Sequence, residues 1–206
     1  NCLSRLPLGV SDRQALFVGD ILATGYWAAD ISEIEEGEEV LVLGGGPTGI
    51  CCALCAELKG ARVSVSEKDE KRRAFIAENY PFLRALSPEE AESLFPRLAR
   101  GGADRVIEAA GGEDTFEQAW RLARPNAVVT IVAMYESDRI LPLPRMYGKN
   151  LVFKTGGVDG SKCDEIIALI AAGRLNTLPL ITHTFAFEEI ERAYELFAAH
   201  SDGVMK

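Results

Sequence analysis

The feature that most constrains this chain is a six-residue run, Gly44-Gly45-Gly46-Pro47-Thr48-Gly49, lying between an apolar run and a small-residue helix pattern. Its spacing is GxGxxG, which carries little meaning without its flanks. Residues 39–43 before it form a short, continuous apolar stretch that predicts a strand buried on both faces. Residues 48–59 after it predict a helix, which Gly60 ends. Residues 62–66 alternate at period two and predict a second strand, with Glu67 at its end. In that context the loop implies a dinucleotide site. Gly44 makes the tight turn, Gly46 lets backbone approach a pyrophosphate, and Gly49 lets helix and sheet pack closely. Pro47 and Thr48 open the helix, whose free N–H groups and partial positive charge suit phosphate.

Glu67 stands 67 − 44 = 23 residues beyond the first glycine. A carboxylate there can accept both hydroxyls of an adenosine ribose and would repel the 2′-phosphate of NADP, so NAD is favoured. Lys68, Lys71 and Arg72 are near enough in sequence to offset part of that repulsion.

The alternation continues. Residues 68–79 predict a charged helix closed by Tyr80-Pro81, and a third strand is expected around residues 82–86. Ser87 is placed to cap the next helix, with Pro88 at its first position and Glu89 and Glu90 in its first turn. Residues 104–110, 127–134 and 151–155 predict the fourth, fifth and sixth strands, with a helix at 114–122 after the Gly111-Gly112 turn. Strands separated by helices imply an α/β fold with a doubly wound parallel sheet, and six strands are what two mononucleotide-binding halves need. The two ends fit less well. Residues 11–30 read as one long apolar helix, and residues 159–206 as two helices with a strand-like segment at 178–185.

Charge and cysteines exclude several classes. With 22 basic and 31 acidic side chains the net charge is −9, and the cluster Lys71-Arg72-Arg73 is flanked by Glu67, Asp69 and Glu70. Nucleic-acid binding, which needs massed Lys and Arg, is not expected. The mostly apolar stretch 127–134 falls far short of the roughly 20 residues that cross a membrane. Five cysteines, three of them within 51–55, argue against a disulfide scaffold and for a reducing cytoplasm. Cys52 and Cys55 are read as helix packing rather than a metal or redox pair, since Cys2 and Cys163 are distant. Of the two histidines, His183 is expected in a packed strand and His200 near a helix C-terminus. Tyr135 and Tyr147 lack the lysine of a YxxxK pattern, and there is no GxSxG or Walker lysine. The absence of Met at residue 1 suggests that the natural start lies elsewhere.

The segments GGGPTG, the acid at the second strand, VIEAAGG, and LITHTFAFEEIERAYELFAAHSDGVMK together resemble the coenzyme half of zinc-dependent medium-chain alcohol dehydrogenases. The resemblance runs through essentially the whole chain. MYESDRILPLPRMYGKN and KTGGVDG look closest to the bacterial secondary-alcohol (isopropanol or butanediol) branch. It implies a Rossmann domain at 24–157, with 1–23 and 158–206 belonging to a mostly absent GroES-like catalytic domain of roughly 150 residues. In VGDILATGY it puts Asp20 at a zinc-ligand position and Thr24 against the nicotinamide face. Val132, Ala133 and Met134 would meet the carboxamide, Gly156 to Val158 would lie beside them, and Ala110 and Gly111 would be near the ribose. The implied activity is reversible NAD- and zinc-dependent oxidation of an alcohol, with catalysis not expected from these residues alone. A homodimer or tetramer formed through the sixth strand's edge is also implied. The rival readings are a stand-alone dinucleotide-binding domain and a zinc-free quinone-reductase-like relative; Asp20 argues against the latter.

Overall fold

A computed structural model describes residues 3–158, 160–199 and 202–206, so Cys2 and His200 lie outside the described residues. Its centre is a single six-stranded sheet, all parallel, in the order β3-β2-β1-β4-β5-β6. The strands are β1 (Glu39–Leu43), β2 (Arg62–Ser66), β3 (Arg84–Leu86), β4 (Ala103–Glu108), β5 (Ala123–Ile131) and β6 (Val152–Thr155). The order reverses between β1 and β4, and a crevice opens outside the carboxyl ends of the strands at such a reversal.

Nine helices are described: α1 (Asp12–Ala15), α2 (Ile21–Ile31), α3 (Pro47–Leu58), α4 (Glu70–Asn79), α5 (Pro88–Leu94), α6 (Thr115–Leu122), α7 (Leu143–Met146), α8 (Cys163–Ala171) and α9 (Ile190–Ala198). They divide between the two faces of the sheet. Val40 and Val42 of β1 pack with α2, α3 and α8, whereas Leu41 and Leu43 pack with α5 and α6. Alternate side chains of one buried strand thus serve two separate cores, which is why the run reads as continuously apolar.

Close approach needs small residues. A Cβ at Gly25 of α2 would fall 2.5 Å from the carbonyl carbon of Cys51 in α3, so the two helices cross backbone to backbone. Cys51, Cys52 and Cys55 are buried at that crossing and are free thiols. Burial pushes the Cys52 thiol up to about 12, and it raises Cys51 and Cys55 as well. Their place is in the packing, and burial disfavours the thiolate form that reacts.

The strands and capping signals hold up well. Ser87 caps α5 with a full capping box through Glu90, as its sequence implies. Four expectations change. The single helix expected at 11–30 is broken into α1 and α2, with turns at residues 16–20. Gly19 lies at that break, and the backbone of Asp20 is at φ −140° and ψ −99°, outside helical geometry. The second strand does not alternate in burial: residues 63–66 are all buried, because both faces of β2 are covered. The fifth strand ends at Ile131 rather than 134, since Val132 and Ala133 both turn their N–H groups onto the Glu108 carbonyl. Finally, residues 178–185 form a 3-10 turn, Leu178–Leu180, and irregular chain, not a strand. His183 is therefore not in a strand. Its ring stacks on Phe185 and its Nε2 lies 3.3 Å from the Asp202 carboxylate.

Candidate coenzyme cleft

At the sheet reversal a cleft of ≈ 1300 Å³ is lined by Gly44, Gly46, Pro47, Thr48 and Gly49 from the glycine loop, by Glu67 and Arg72, and by Ala110. Eight of the residues singled out in the sequence are thereby brought around one volume.

The loop is built by its glycines. Gly44 has φ +100°, a backbone conformation that disfavours any side chain, and a Cβ there would also meet Ala110 at 2.9 Å. A Cβ at Gly49 would lie 1.9 Å from the Gly44 carbonyl oxygen, so α3 can start only where position 49 has no side chain. Around Gly46, by contrast, nothing stands within 4 Å of such a Cβ. Gly46 is the N-cap of α3 and supplies no side-chain acceptor, and Pro47 occupies the first turn. The first-turn N–H groups thus face a cleft rather than a capping side chain, which suits a bound anion.

Glu67 is buried at the end of β2, and both of its oxygens are engaged. Oε2 accepts the Gly45 N–H at 2.8 Å and Oε1 accepts the Asp69 N–H at 2.9 Å. Gly45 fits because it has no side chain: a Cβ there would be 2.9 Å from Glu67 Cβ. Arg72 Nη1 lies 3.9 Å from Oε2, and Lys68 and Lys71 also line the cleft. Arg73, which the sequence did not mark as a site residue, donates to the carbonyls of Glu67 and Lys68 at 2.8 Å each and fixes this turn. Asp69 caps α4 by accepting the Arg72 N–H; that bond, together with the neighbouring basic groups, outweighs burial and holds its carboxyl below the usual range.

The remaining predicted residues lie off this lining. Val132, Ala133 and Met134 follow β5, while Gly156 and Val158 follow β6, all at the carboxyl ends of the strands. Of these, Ala133 and Met134 lie against the loop after β4: a Cβ at Gly111 would be 3.1 Å from the Met134 carbonyl oxygen. Thr24 is on α2, its hydroxyl donating to the Asp20 carbonyl at 2.9 Å. Gly156 faces the same helix, since a Cβ there would come 3.2 Å from the Trp27 ring.

Asp20 is exposed and precedes α2 without making a side-chain cap. Among the described residues no group of three His, Cys, Asp or Glu side chains is placed to hold a metal ion. Structural and catalytic zinc sites need three or four protein donors. The residues described here do not fit a zinc site by themselves.

Two contributions lie in segments that carry the family resemblance but were given no role at the cleft. Asp202, Gly203, Val204 and Met205 line the cleft from the far end of the chain. Backbone and side-chain bonds to Thr182 hold them there, the Met205 N–H donating to Thr182 Oγ1 at 2.9 Å. Glu108, at the end of β4, is the other. Neither role can be read from local spacing, because each depends on which segments the fold sets side by side.

Comparison with known proteins bears on what such a cleft is for. The family model described as zinc-binding dehydrogenase matches residues 47–172. An alcohol dehydrogenase of Cupriavidus necator is 30% identical over 213 residues, covering 99% of this chain and 58% of its own length. The NADP-dependent isopropanol dehydrogenase of Thermoanaerobacter brockii is 28% identical over 206 residues, covering 94% of this chain and 58% of its own. Among solved structures, the alcohol dehydrogenase TADH from Thermus sp. ATN1 superposes with a TM-score of 0.89 at 28% identity, over 98% of this chain and 59% of that one. The chain therefore spans about three fifths of the length of the relatives it matches.

Proposed function

The chain belongs to the zinc-binding dehydrogenase family, as its coenzyme-binding part, and from that premise we propose that it binds NAD for the oxidation of an alcohol to a ketone or aldehyde, with secondary alcohols, which give ketones, as the favoured class. The single observation that carries this reading is the convergence of the glycine loop, Glu67, Arg72 and Ala110 on one cleft at the sheet reversal. Bound there, the coenzyme would supply a hydride acceptor at nicotinamide C4.

The residues divide the work. First-turn N–H groups of α3, beside Gly44, Gly46, Pro47, Thr48 and Gly49, would hold the pyrophosphate. A carboxylate offers about four lone-pair sites. Two of Glu67's are used by Gly45 and Asp69, which leaves capacity for two ribose hydroxyls and holds the group in place to receive them. Ala110 is proposed to lie near the ribose, and Val132, Ala133, Met134, Gly156 and Val158 to line the nicotinamide half, with Thr24 against the ring. Asp20 is proposed as one zinc donor, the others coming from outside these residues. The proposed division is 24–157 for the coenzyme domain, with 1–23 and 158–206 leading to the catalytic part. Small alcohols and ketones as substrates, a cytoplasmic location and a homo-oligomer joined through β6 complete the proposal.

One observation favours a rival coenzyme. Lys68, Lys71 and Arg72 all line the cleft near Glu67, and a relative of this chain is named as NADP-dependent. Calorimetric titration with NAD⁺, NADP⁺ and FAD separates the readings. We expect NAD⁺ to bind at least tenfold more tightly than NADP⁺, FAD not to bind, and Glu67→Ser to erase the preference. Tighter NADP⁺ binding by the unaltered chain would assign the basic side chains the deciding role, and binding of none of the three would sink the coenzyme reading.

A further inference from the structure

Glu108 is completely buried at the end of β4, and the coenzyme reading gives it no task. Its side chain turns forward so that Oε1 accepts the N–H groups of both Ala110 and Gly111, at 2.9 Å each. Its main-chain carbonyl accepts the N–H groups of Val132 at 2.8 Å and Ala133 at 3.1 Å. Four donors from two loops therefore meet on one residue.

Those loops are the ones that join the two ends of the cleft. The loop after β4 touches the glycine loop on one side, where Ala110 lies against Gly44, and the loop after β5 on the other, where Gly111 lies against the Met134 carbonyl. Neither contact leaves room for adjustment, because an added Cβ would meet Ala110 at 2.9 Å and Met134 oxygen at 3.1 Å. A shift of residues 109–111 would thus move the nicotinamide side relative to the phosphate side.

The chemistry of Glu108 is costly for a packing residue. A buried carboxylate is tolerated only when polar partners satisfy it, and beyond the two N–H groups on Oε1 the partner nearest to hand is the Tyr135 hydroxyl, which lies outside ordinary hydrogen-bond geometry to Oε2. Burial first, and the interaction of its hydroxyl with Glu108 second, push the Tyr135 phenol up. An apolar residue would fill the same space without this cost, but it could not hold two N–H groups.

We propose that Glu108 is a positioning residue that keeps the phosphate and nicotinamide halves of the cleft in register, its side chain fixing residues 110–111 while its carbonyl fixes 132–133. This inference rests on the coenzyme reading for what occupies the cleft, but the tie itself can be tested without any ligand. Hydrogen exchange on the full chain compares Glu108→Ala, which removes the side-chain acceptor of both N–H groups and keeps the carbonyl, with Glu108→Gln, whose amide oxygen can still accept both. In the alanine variant, exchange at residues 109–111 should accelerate at least tenfold while β1 and β2 are unchanged. NADH affinity should fall at least tenfold, and the glutamine variant should return both to within threefold of the original. If circular dichroism shows that the alanine variant does not fold, Glu108→Asp, one methylene shorter, replaces it with the same expectation. Unaltered exchange at 109–111, or NADH binding that is equal in all variants, would overturn the proposal. Failure of the unaltered chain to bind NADH would instead count against the coenzyme reading, with the exchange data still deciding the tie.

Discussion

Gly46 and Gly49 are three residues apart in one loop, but an added methyl group would meet different surroundings at each. At Gly49 it would fall 1.9 Å from a carbonyl oxygen, and backbone on both sides cannot yield. Overpacking of this kind costs about 1–3 kcal/mol or more, so Gly49→Ala should lower the thermal midpoint by roughly 4–10 °C. At Gly46 the space is open and φ is −74°, so Gly46→Ala should leave the midpoint within about 1 °C. It should nevertheless weaken NAD⁺ binding at least tenfold by obstructing the approach to the phosphates. A melting curve and a titration on each variant check the pair, and a Gly46 variant that binds normally would remove the phosphate role from that position. At this scale much was legible in sequence. The spacing of the glycines and the acid located the loop and Glu67. Sequence did not reveal that both oxygens of Glu67 are already engaged by backbone, because the partners, Gly45 and Asp69, belong to turns whose shape depends on the finished sheet.

Among the helices, starting signals were more reliable than lengths. Ser87, Pro88 and Glu90 announce a capping box by residue type and spacing alone, and α5 starts there. Replacing Ser87 with Ala should cost about 1 kcal/mol and lower the midpoint by roughly 2–4 °C. Asp20 precedes α2 from the equivalent place but makes no cap bond, so Asp20→Ala should leave thermal stability within about 0.5 kcal/mol. A loss near that of Ser87→Ala would show that Asp20 is a helix cap after all and weaken its assignment as a metal donor. The expectation of one helix at 11–30 failed for a related reason. Apolar periodicity continues through the segment, but the turn at 16–20 is set by how α2 must lie on α3, backbone against backbone at Gly25. A similar limit applies to residues 178–185, which look like a strand but pair with none of the described strands; their Thr182 instead holds the terminal segment through Lys206 and Met205.

The sheet has two edges, the three-residue β3 and the longer β6, and among the described residues no further strand pairs with either. β6 is paired only with β5 among the described residues, and Val152 on it is half exposed. Ile140, Leu143 and Tyr147, in the segment leading to that strand, are largely exposed as well. An unpaired edge with apolar neighbours invites another chain, and the homo-oligomer proposed above would close it with a second copy. Light scattering at micromolar concentration should give twice the chain mass, and Val152→Lys should return it to one. A monomer in the unaltered chain would rule out this edge as a self-sufficient interface. No described helix is long and apolar enough to cross a membrane.

Sequence by itself determined the layer plan, the glycine loop, the acid at the second strand and most helix starts. These are set by local rules: period of apolar residues, backbone freedom of glycine, and capping of unpaired N–H groups. Tertiary structure alone decided how the far segments come together. It broke the first helix, brought residues 202–205 to the cleft, and placed the Glu108 carboxylate under one loop and its carbonyl under another. Contacts between residues distant in sequence are chosen by packing and by the need to pair every buried polar group, and no short stretch of chain carries that information.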